Sequence, residues 1–230
     1  MALIAIERRG AVALLTLNRP RARNAINGAM AESLCSALAE SQDARCIVIT
    51  GADPAFCAGL DLKEFEQRDR RAFPTFTFAL RASKTPLIAA VNGAAVTGGL
   101  EIALSCDFIV ASERACFADT HLKVGVYPGP ALVDLPRRVG EAWAREMSLT
   151  GEFIDAATAL RIGLVNHVRP HEALLPFALD LAAAIAAQDR RAVTLMRREW
   201  EVTAGLPLTV ARAAHETCIE AGNFRHSHKD

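Results

Sequence analysis

The sequence lacks both an excess of charge of one sign and any long apolar run. Its 230 residues include 26 basic and 26 acidic side chains, so the formal net charge is zero. Nucleic-acid-binding domains usually carry a basic patch, and this dispersed, balanced charge does not provide one. No stretch approaches the roughly 18 uninterrupted apolar residues of a membrane-spanning helix, and residues 1–15 lack the pattern of a signal peptide. We therefore expect a soluble, cytoplasmic protein with no nucleic-acid or membrane partner.

Sequence motifs that mark common catalytic and cofactor sites are absent as well. There is no GxGxxG dinucleotide fingerprint, no Walker loop, no GxSxG nucleophile elbow and no HExxH zinc motif. The six cysteines show no CxxC spacing and lie mostly among apolar neighbours, which is typical of buried thiols in a reducing compartment. The His-Ser-His tract at 226–228 lies in a polar tail without further ligands, so we predict no metal site.

What the sequence does contain is an apolar fraction of 51%, which is enough for a large buried core. Two alternating runs before Pro20 predict an antiparallel hairpin, and Asn24 is a candidate N-cap for the helix that follows. Short apolar segments at 46–51, 86–93 and 106–112 then alternate with helical patterns, which predicts βα units around a largely parallel sheet. The predicted fold class is therefore α/β.

The domain organisation follows from the absence of repeats and of linkers rich in Gly, Pro or Ser. We expect one α/β core over residues 1–190 and a helical C-terminal region over residues 191–230 that is not an independent domain. The charged and aromatic segment 61–84 keeps two interpretations open, a mobile cover over a site or an ordinary solvated helix pair.

Two glycine-containing turns give the first indication of chemistry. In ITGADPAFCAGLDLKEF (49–65) and in PLIAAVNGAAVTGGLEIAL (86–104), a strand is followed by a turn and then by the start of a helix. The first N–H groups of a helix have no internal acceptor and carry partial positive charge, and glycine lets a ligand approach the backbone closely. The amide of Leu60 and an amide of Gly98 or Gly99 can therefore bind one carbonyl oxygen together, as an oxyanion hole.

Glu101 has an unusual position inside the second of these segments, between Leu100 and Ile102. Burial among apolar neighbours raises the pKa of a carboxyl group, which favours proton transfer near neutral pH. Beside an oxyanion hole, Glu101 is a candidate proton-transfer group. The alternative is that it only stabilises the start of a helix, which is a common role for an acid there.

The order of motifs resembles the crotonase, or enoyl-CoA hydratase/isomerase, superfamily almost from end to end. The matching segments are NRPRARNAI (18–26), ITGADPAFCAGLDL (49–62), TPLIAAVNGAAVTGGLEIALSCD (85–107), GVYPG (125–129), LPRRVG (135–140) and SLTGEFIDAATALRIGLVNHV (148–168). Each segment is weak alone, but the ordered set is highly specific. The resemblance implies a spiral of ββα units with a helical C-terminal trimerisation region, assembled as a homotrimer or a dimer of trimers.

The resemblance also implies a coenzyme A thioester as the ligand, with no separate cofactor because coenzyme A is part of the substrate. The two oxyanion donors of the family fall on Leu60 and Gly98, in agreement with the reasoning from helix starts. The residues implied to bind the substrate and its coenzyme A are Arg21, Arg23, Ala25, Ala58, Asp61, Leu62 and Lys63. Arginine also suits phosphate on chemical grounds, although exposed loop arginines are common.

Only one of the two catalytic glutamates of the family is present in this chain. Glu101 aligns with the first, whereas the position of the second falls on His121 within FADTHLKVGVYPG (117–129). Imidazole can act as an acid or a base near neutral pH. His121 is therefore either the partner of Glu101 or a residue that only lines the pocket, and the role of Asp119 stays open.

The leading interpretation is a 2-enoyl-CoA hydratase, a hydro-lyase of fatty acid metabolism that reversibly adds water through a coenzyme A enolate. In this interpretation Glu101 is the base and His121 the acid. The alternatives are an enoyl-CoA isomerase or another single-glutamate reaction of the family, and a non-catalytic acyl-CoA-binding protein. Retention of the first glutamate argues against the isomerase, whose usual pattern keeps the second.

Overall fold

The computed structural model describes residues 2–65 and 76–222. The chain divides into two compact units, Met1–Ile185 and Ala186–Asp230. The second unit contains helices α9 (Arg190–Thr203) and α10 (Leu208–Gly222), which pack on each other. Within the described ranges, no helix combines the length and the apolar composition needed to cross a membrane.

The first unit is built on two β-sheets. Their strands are β1 Ile4–Arg9, β2 Val12–Leu17, β3 Cys46–Gly51, β4 Ala55–Cys57, β5 Leu87–Val91, β6 Ala94–Val96, β7 Phe108–Ser112, β8 Cys116–Ala118, β9 Ile154–Asp155 and β10 His167–Arg169. The larger sheet has the order β1-β2-β3-β5-β7-β10, and only its β1–β2 hairpin is antiparallel. The smaller sheet has the order β4-β6-β8-β9, with β9 antiparallel to β8. These pairings confirm the predicted hairpin and the largely parallel α/β sheet.

Helices connect the strands of this unit. They are α1 Gly28–Glu40, α2 Leu62–Phe65, α3 Phe76–Arg81, α4 Gly98–Leu104, α5 Ala131–Val139, α6 Glu141–Thr150, α7 Ala156–Arg161 and α8 His171–Ala186. Every residue of β3 and of β5 is buried, as expected for central parallel strands covered on both faces. Phe56 in β4 and Phe117 in β8 are fully buried, so the smaller sheet shares the same core.

The start of α1 differs from the sequence prediction. The N-cap is Asn27, whose side chain accepts a hydrogen bond from the Met30 N–H, so Asn24 as the cap was wrong. Asn24 is instead fully buried with a φ of 57°, and its Nδ2 donates to the carbonyl oxygens of Ala52 and Ala55 at 2.7 Å each. The asparagine amide satisfies buried backbone acceptors that would otherwise lack partners, which fixes the turn before the helix.

The six cysteines are all free thiols, as predicted, but only Cys46, Cys57 and Cys106 are buried, whereas Cys35, Cys116 and Cys218 are half-buried. Burial raises the pKa of the Cys57 thiol to about 12, because a thiolate is poorly solvated inside the core. A thiol of this kind is chemically inert.

Candidate active site

Three short strands of the smaller sheet end side by side and position the candidate residues. β4, β6 and β8 are parallel neighbours, so their carboxyl ends lie at one edge of the sheet. Leu60 follows β4, Gly98 and Glu101 follow β6, and Asp119 and His121 follow β8. The topology thus brings together the predicted oxyanion donors and both predicted proton-transfer side chains from distant parts of the chain.

The backbone amides of Leu60 and Gly98 are neighbours. A Cβ atom placed on Gly98 would lie 3.6 Å from the Leu60 nitrogen and 3.6 Å from the Gly59 Cα. Gly98 is the first residue of α4, so its N–H has no acceptor inside the helix. None of the backbone hydrogen bonds between the described residues outside helices and strands is donated by either amide. Two such donors beside each other can bind the same oxygen atom.

Unusual backbone conformations lock these two turns together. Gly59 has a φ of 95° and Thr97 has a φ of 46°. A Cβ on Gly59 would collide with the Thr97 Oγ1, and a Cβ on Gly99 would collide with the carbonyl oxygen of Cys57. Glycine at both places lets α4 pack directly on the end of β4. Strain of the kind seen at Thr97 persists only where surrounding contacts enforce it, and it is common at functional sites.

Glu101 lies in the first turn of α4 and is only 7% exposed. Its Oε1 accepts a hydrogen bond from the Ala131 N–H at 3.3 Å, and a Cβ on Gly129 would lie 2.9 Å from the same oxygen. Burial raises the pKa of Glu101, while His121 and the Ala131 N–H oppose this shift without cancelling it. The direction of the shift is the one expected from the sequence, and it suits a group that exchanges protons.

His121 and Asp119 form a buried pair directly after β8. The Nδ1 of His121 lies 2.5 Å from the Oδ1 of Asp119, and Ser148 of α6 donates to the other carboxylate oxygen at 2.6 Å. Burial alone would raise the pKa of Asp119, but the hydrogen bonds from His121 and Ser148 outweigh it and hold the pKa below its usual range. Asp119 is therefore an ionised acceptor for both neighbours.

The predicted coenzyme A loop is exposed and borders a cleft. Arg21 and Arg23 are exposed and Ala25 is half-buried. The cleft has a volume of about 450 Å³ and is lined by Asn18, Arg19, Pro20, Arg21 and Ala22. Exposed guanidinium groups at such a cleft are suited to binding phosphate.

The other predicted substrate-binding residues lie where this loop meets the start of α2. The Ala58 N–H donates to the Arg23 carbonyl oxygen at 3.0 Å, and Asp61 pairs with Arg19 at 3.0 Å. Leu62 and Lys63 are exposed. The loop and the turn that carries the Leu60 amide are thus held against each other.

Some residues that shape the site were missed from the sequence. Arg19 connects the coenzyme A loop to Asp61, Thr97 locks the oxyanion turn, Gly129 makes room for the Glu101 carboxylate, and Ser148 binds Asp119. All four lie within segments that match the family pattern, so motif membership was an available signal. Their contacts, however, depend on the tertiary fold.

Two sequence predictions concern residues outside the described ranges. The His-Ser-His tract at 226–228 lies there, and so does the part of the 61–84 segment between residues 66 and 75. Among the residues that the structure does describe, no three His, Cys, Asp or Glu side chains are grouped as metal ligands.

Comparison with known proteins places this chain in a family. The family model of enoyl-CoA hydratase/isomerase matches residues 7–228. The 2,3-dehydroadipyl-CoA hydratase of Escherichia coli (strain K12) is 37% identical over 231 residues, covering 96% of this chain and 86% of the relative. A crystal structure of an enoyl-CoA hydratase from Bacillus anthracis aligns with a TM-score of 0.90 at 32% identity, covering 95% of this chain and 90% of its own. One from Mycobacterium avium has a TM-score of 0.78 at 43% identity, covering 96% and 100%. The chain therefore belongs to the enoyl-CoA hydratase/isomerase family and has the crotonase fold that its motifs indicate.

Proposed function

We propose that this protein is a 2-enoyl-CoA hydratase, a hydro-lyase that reversibly adds water to the double bond of a 2-enoyl-CoA thioester. The most direct support is the convergence of two free backbone amides, a buried glutamate and a buried histidine at the carboxyl edge of the smaller sheet. The relatives named above are hydratases, and the Escherichia coli relative is named for an unsaturated thioester, which supports the same substrate class.

The amides of Leu60 and Gly98 are the proposed oxyanion hole. When a water oxygen bonds to C3, the electrons of the double bond shift and negative charge develops on the thioester oxygen. Two N–H donors that are already aimed at this oxygen stabilise the enolate without reorganisation, which is how an oxyanion hole lowers a barrier.

Glu101 and His121 are the proposed proton-transfer groups. The Glu101 carboxylate accepts a proton from the attacking water, and a protonated His121 gives its Nε2 proton to C2 of the enolate. One hydroxyl and one hydrogen are thereby added to the substrate. Transfer of a proton from Glu101 back to His121 through solvent restores both groups, so the net reaction consumes one water.

Coenzyme A is proposed to lie along the 18–25 loop and the start of α2. Arg21 and Arg23 would contact its phosphates, and Ala25 would contact the adenine end. The pantetheine arm would pass the residues that surround the first oxyanion turn, which are Ala58, Asp61, Leu62 and Lys63. Since the acyl carrier is part of the substrate, the reaction requires no other cofactor.

The same proposal includes a cytoplasmic homotrimer or dimer of trimers. Large apolar side chains are exposed on the single chain, with Tyr127 at 81%, Leu149 at 72% and Phe78 at 70% exposure. Exposed apolar surface of this kind is often covered in an assembly.

The activity can be tested with crotonyl-CoA by following the absorbance of its conjugated thioester. Hydration removes the conjugation, so we expect the absorbance to fall with wild-type protein. Glu101→Gln should lower kcat by about 10²–10⁴-fold, the usual contribution of a general base, while coenzyme A affinity is retained. Glu141→Gln, which changes an exposed glutamate on α6, is the matched control and should retain full activity.

Two outcomes would contradict this proposal. A wild-type protein that binds crotonyl-CoA but leaves its absorbance unchanged would be an acyl-CoA-binding protein. Undiminished turnover by Glu101→Gln would remove Glu101 from the mechanism.

A further inference from the structure

We propose that Asp119 and Ser148 are positioning residues that hold the His121 ring with a proton on Nδ1, leaving Nε2 to exchange a proton with the substrate. Because His121 transfers a proton only if the site hydrates a 2-enoyl thioester, this role rests on the function proposed above. It gives Asp119 and Ser148, which act through His121, a role that the sequence motifs alone did not indicate.

The direction of each hydrogen bond follows from the chemistry of the donors and acceptors. The Ser148 hydroxyl donates to the Oδ2 of Asp119 at 2.6 Å, and the Oδ1 lies 2.5 Å from the His121 Nδ1. An ionised carboxylate can only accept, so the Nδ1 must carry the hydrogen. Within the described part of the chain, the Nε2 of His121 has no hydrogen-bond partner, so it is the nitrogen available to the substrate.

Three sets of hydrogen bonds restrain His121. The His121 carbonyl oxygen accepts from the N–H groups of Val124 at 3.2 Å and Val126 at 3.0 Å, which holds its backbone in the turn after β8. Asp119, two residues earlier, holds the Nδ1, and Ser148 reaches the same carboxylate from α6. Rotation of the ring would leave a buried N–H without an acceptor and would remove the closest donor from the Oδ1 of Asp119, and both changes are unfavourable inside the protein.

Asp119 is poorly suited to take the proton from water itself. Both of its oxygens are engaged, and the hydrogen bonds from His121 and Ser148 keep its pKa low, which makes it a weak base. Glu101 differs, since burial raises its pKa and its carboxylate accepts a longer hydrogen bond of 3.3 Å from the Ala131 N–H. The two carboxylates therefore have different roles: Glu101 exchanges a proton, and Asp119 orients the histidine.

The tautomer can be measured without any substrate. In long-range ¹H–¹⁵N spectra of protein with ¹⁵N-labelled histidine, the His121 signals are identified as those lost in His121→Gln. At a pH where the ring is neutral, we expect the hydrogen on Nδ1 in wild-type protein. In Asp119→Ala, the ring should lose this preference and show a mixture of tautomers. Wild-type protein with a bare Nδ1 would overturn the proposal.

Kinetics provide the second readout. Asp119→Ala should lower kcat about 10²-fold with KM nearly unchanged, because a misplaced imidazole loses most of the acid–base contribution. Asp119→Asn retains an acceptor for the Nδ1 hydrogen and should recover part of this loss. Ser148→Ala should give a smaller fall in kcat, and it keeps the test decisive if Asp119→Ala does not fold.

A control is a second Asp–His pair, in which the exposed carboxylate of Asp53 lies 3.2 Å from the Nε2 of His171. Asp53→Ala makes the same change there and should leave kcat and the His121 signals as in wild type. A fall in kcat for Asp119→Ala with an unchanged His121 tautomer would overturn the positioning role. A wild-type protein with the expected tautomer but no hydration would instead contradict the hydratase function alone.

Discussion

Burial of Glu101 couples the binding of a proton to the stability of the fold. Because burial raises its pKa, the folded protein holds this proton more tightly than the unfolded chain does. Between the unfolded-state and folded-state pKa values the native state binds more protons, so the free energy of unfolding falls as the pH rises through this window. Above this window the charged carboxylate lowers the free energy of unfolding relative to a neutral side chain.

Glu101→Gln should remove this pH dependence. Below the ordinary pKa of glutamate we expect the variant and wild type to have similar free energies of unfolding, because both side chains are then neutral. As the pH rises through the folded-state pKa, the variant should become the more stable of the two, by an amount that levels off above it. Urea denaturation at several pH values measures the difference, and a difference that does not change with pH would contradict the expectation.

At the scale of elements, the proposed active site depends on the close approach of two turns. The turn after β4 and the turn before α4 interlock through Gly59 and Thr97, and this contact sets where the two amides lie. The helices and strands behind the turns are ordinary, so the special geometry is confined to a few residues.

Gly59→Ala should therefore disrupt both stability and catalysis. The φ of 95° should cost an alanine about 1–3 kcal/mol, and the collision with Thr97 should add about 1–3 kcal/mol. Gly10→Ala is the matched control, since Gly10 has a φ of 60° but nothing within 4 Å of the added Cβ. It should lose only about 1–2 kcal/mol from the backbone strain and keep its activity. Urea denaturation and the crotonyl-CoA assay compare the variants, and equal losses in both would show that the interlock is unimportant.

The elements that sequence reasoning identified are the long ones. The buried strands β3, β5 and β7 were predicted because continuous apolar runs between turn residues are typical of parallel sheets. The strands β4, β6 and β8 have three residues each, too few to show an alternating pattern, and they were not predicted from the sequence. The start of α1 was misplaced because Asn24 and Asn27 are both good caps by type, and only the tertiary contacts of Asn24 distinguish them.

The site itself was predictable in part. Free amides at a helix start and a glutamate among apolar residues follow from local chemistry, and they led to Leu60, Gly98 and Glu101. The hydrogen bond between Asp119 and Ser148 joins residues 29 positions apart, so no local pattern indicates it. Such contacts become visible only when β8 and α6 are placed in the fold.

At the scale of the whole molecule, the proposed assembly is open to a direct measurement. We expect size-exclusion chromatography with light scattering to give three or six times the mass of one chain, because exposed apolar side chains such as Tyr127 and Leu149 favour association. Leu149→Glu, which adds a charge to an exposed residue of α6, should shift the population towards smaller species if that face is covered. A monomeric wild-type protein at micromolar concentration would contradict the expectation.

The carboxylate that holds His121 has a consequence for how this site can change over evolutionary time. If a glutamate replaced the histidine, its acidic side chain would be placed beside the ionised Asp119 in a buried environment, where like charges repel strongly. Replacement of His121 alone therefore creates a repulsion between two buried carboxylates, which a second replacement, at residue 119, must remove. Positions 119 and 121 are expected to be inherited as a pair, so a descendant with two glutamates would also have a different residue at 119.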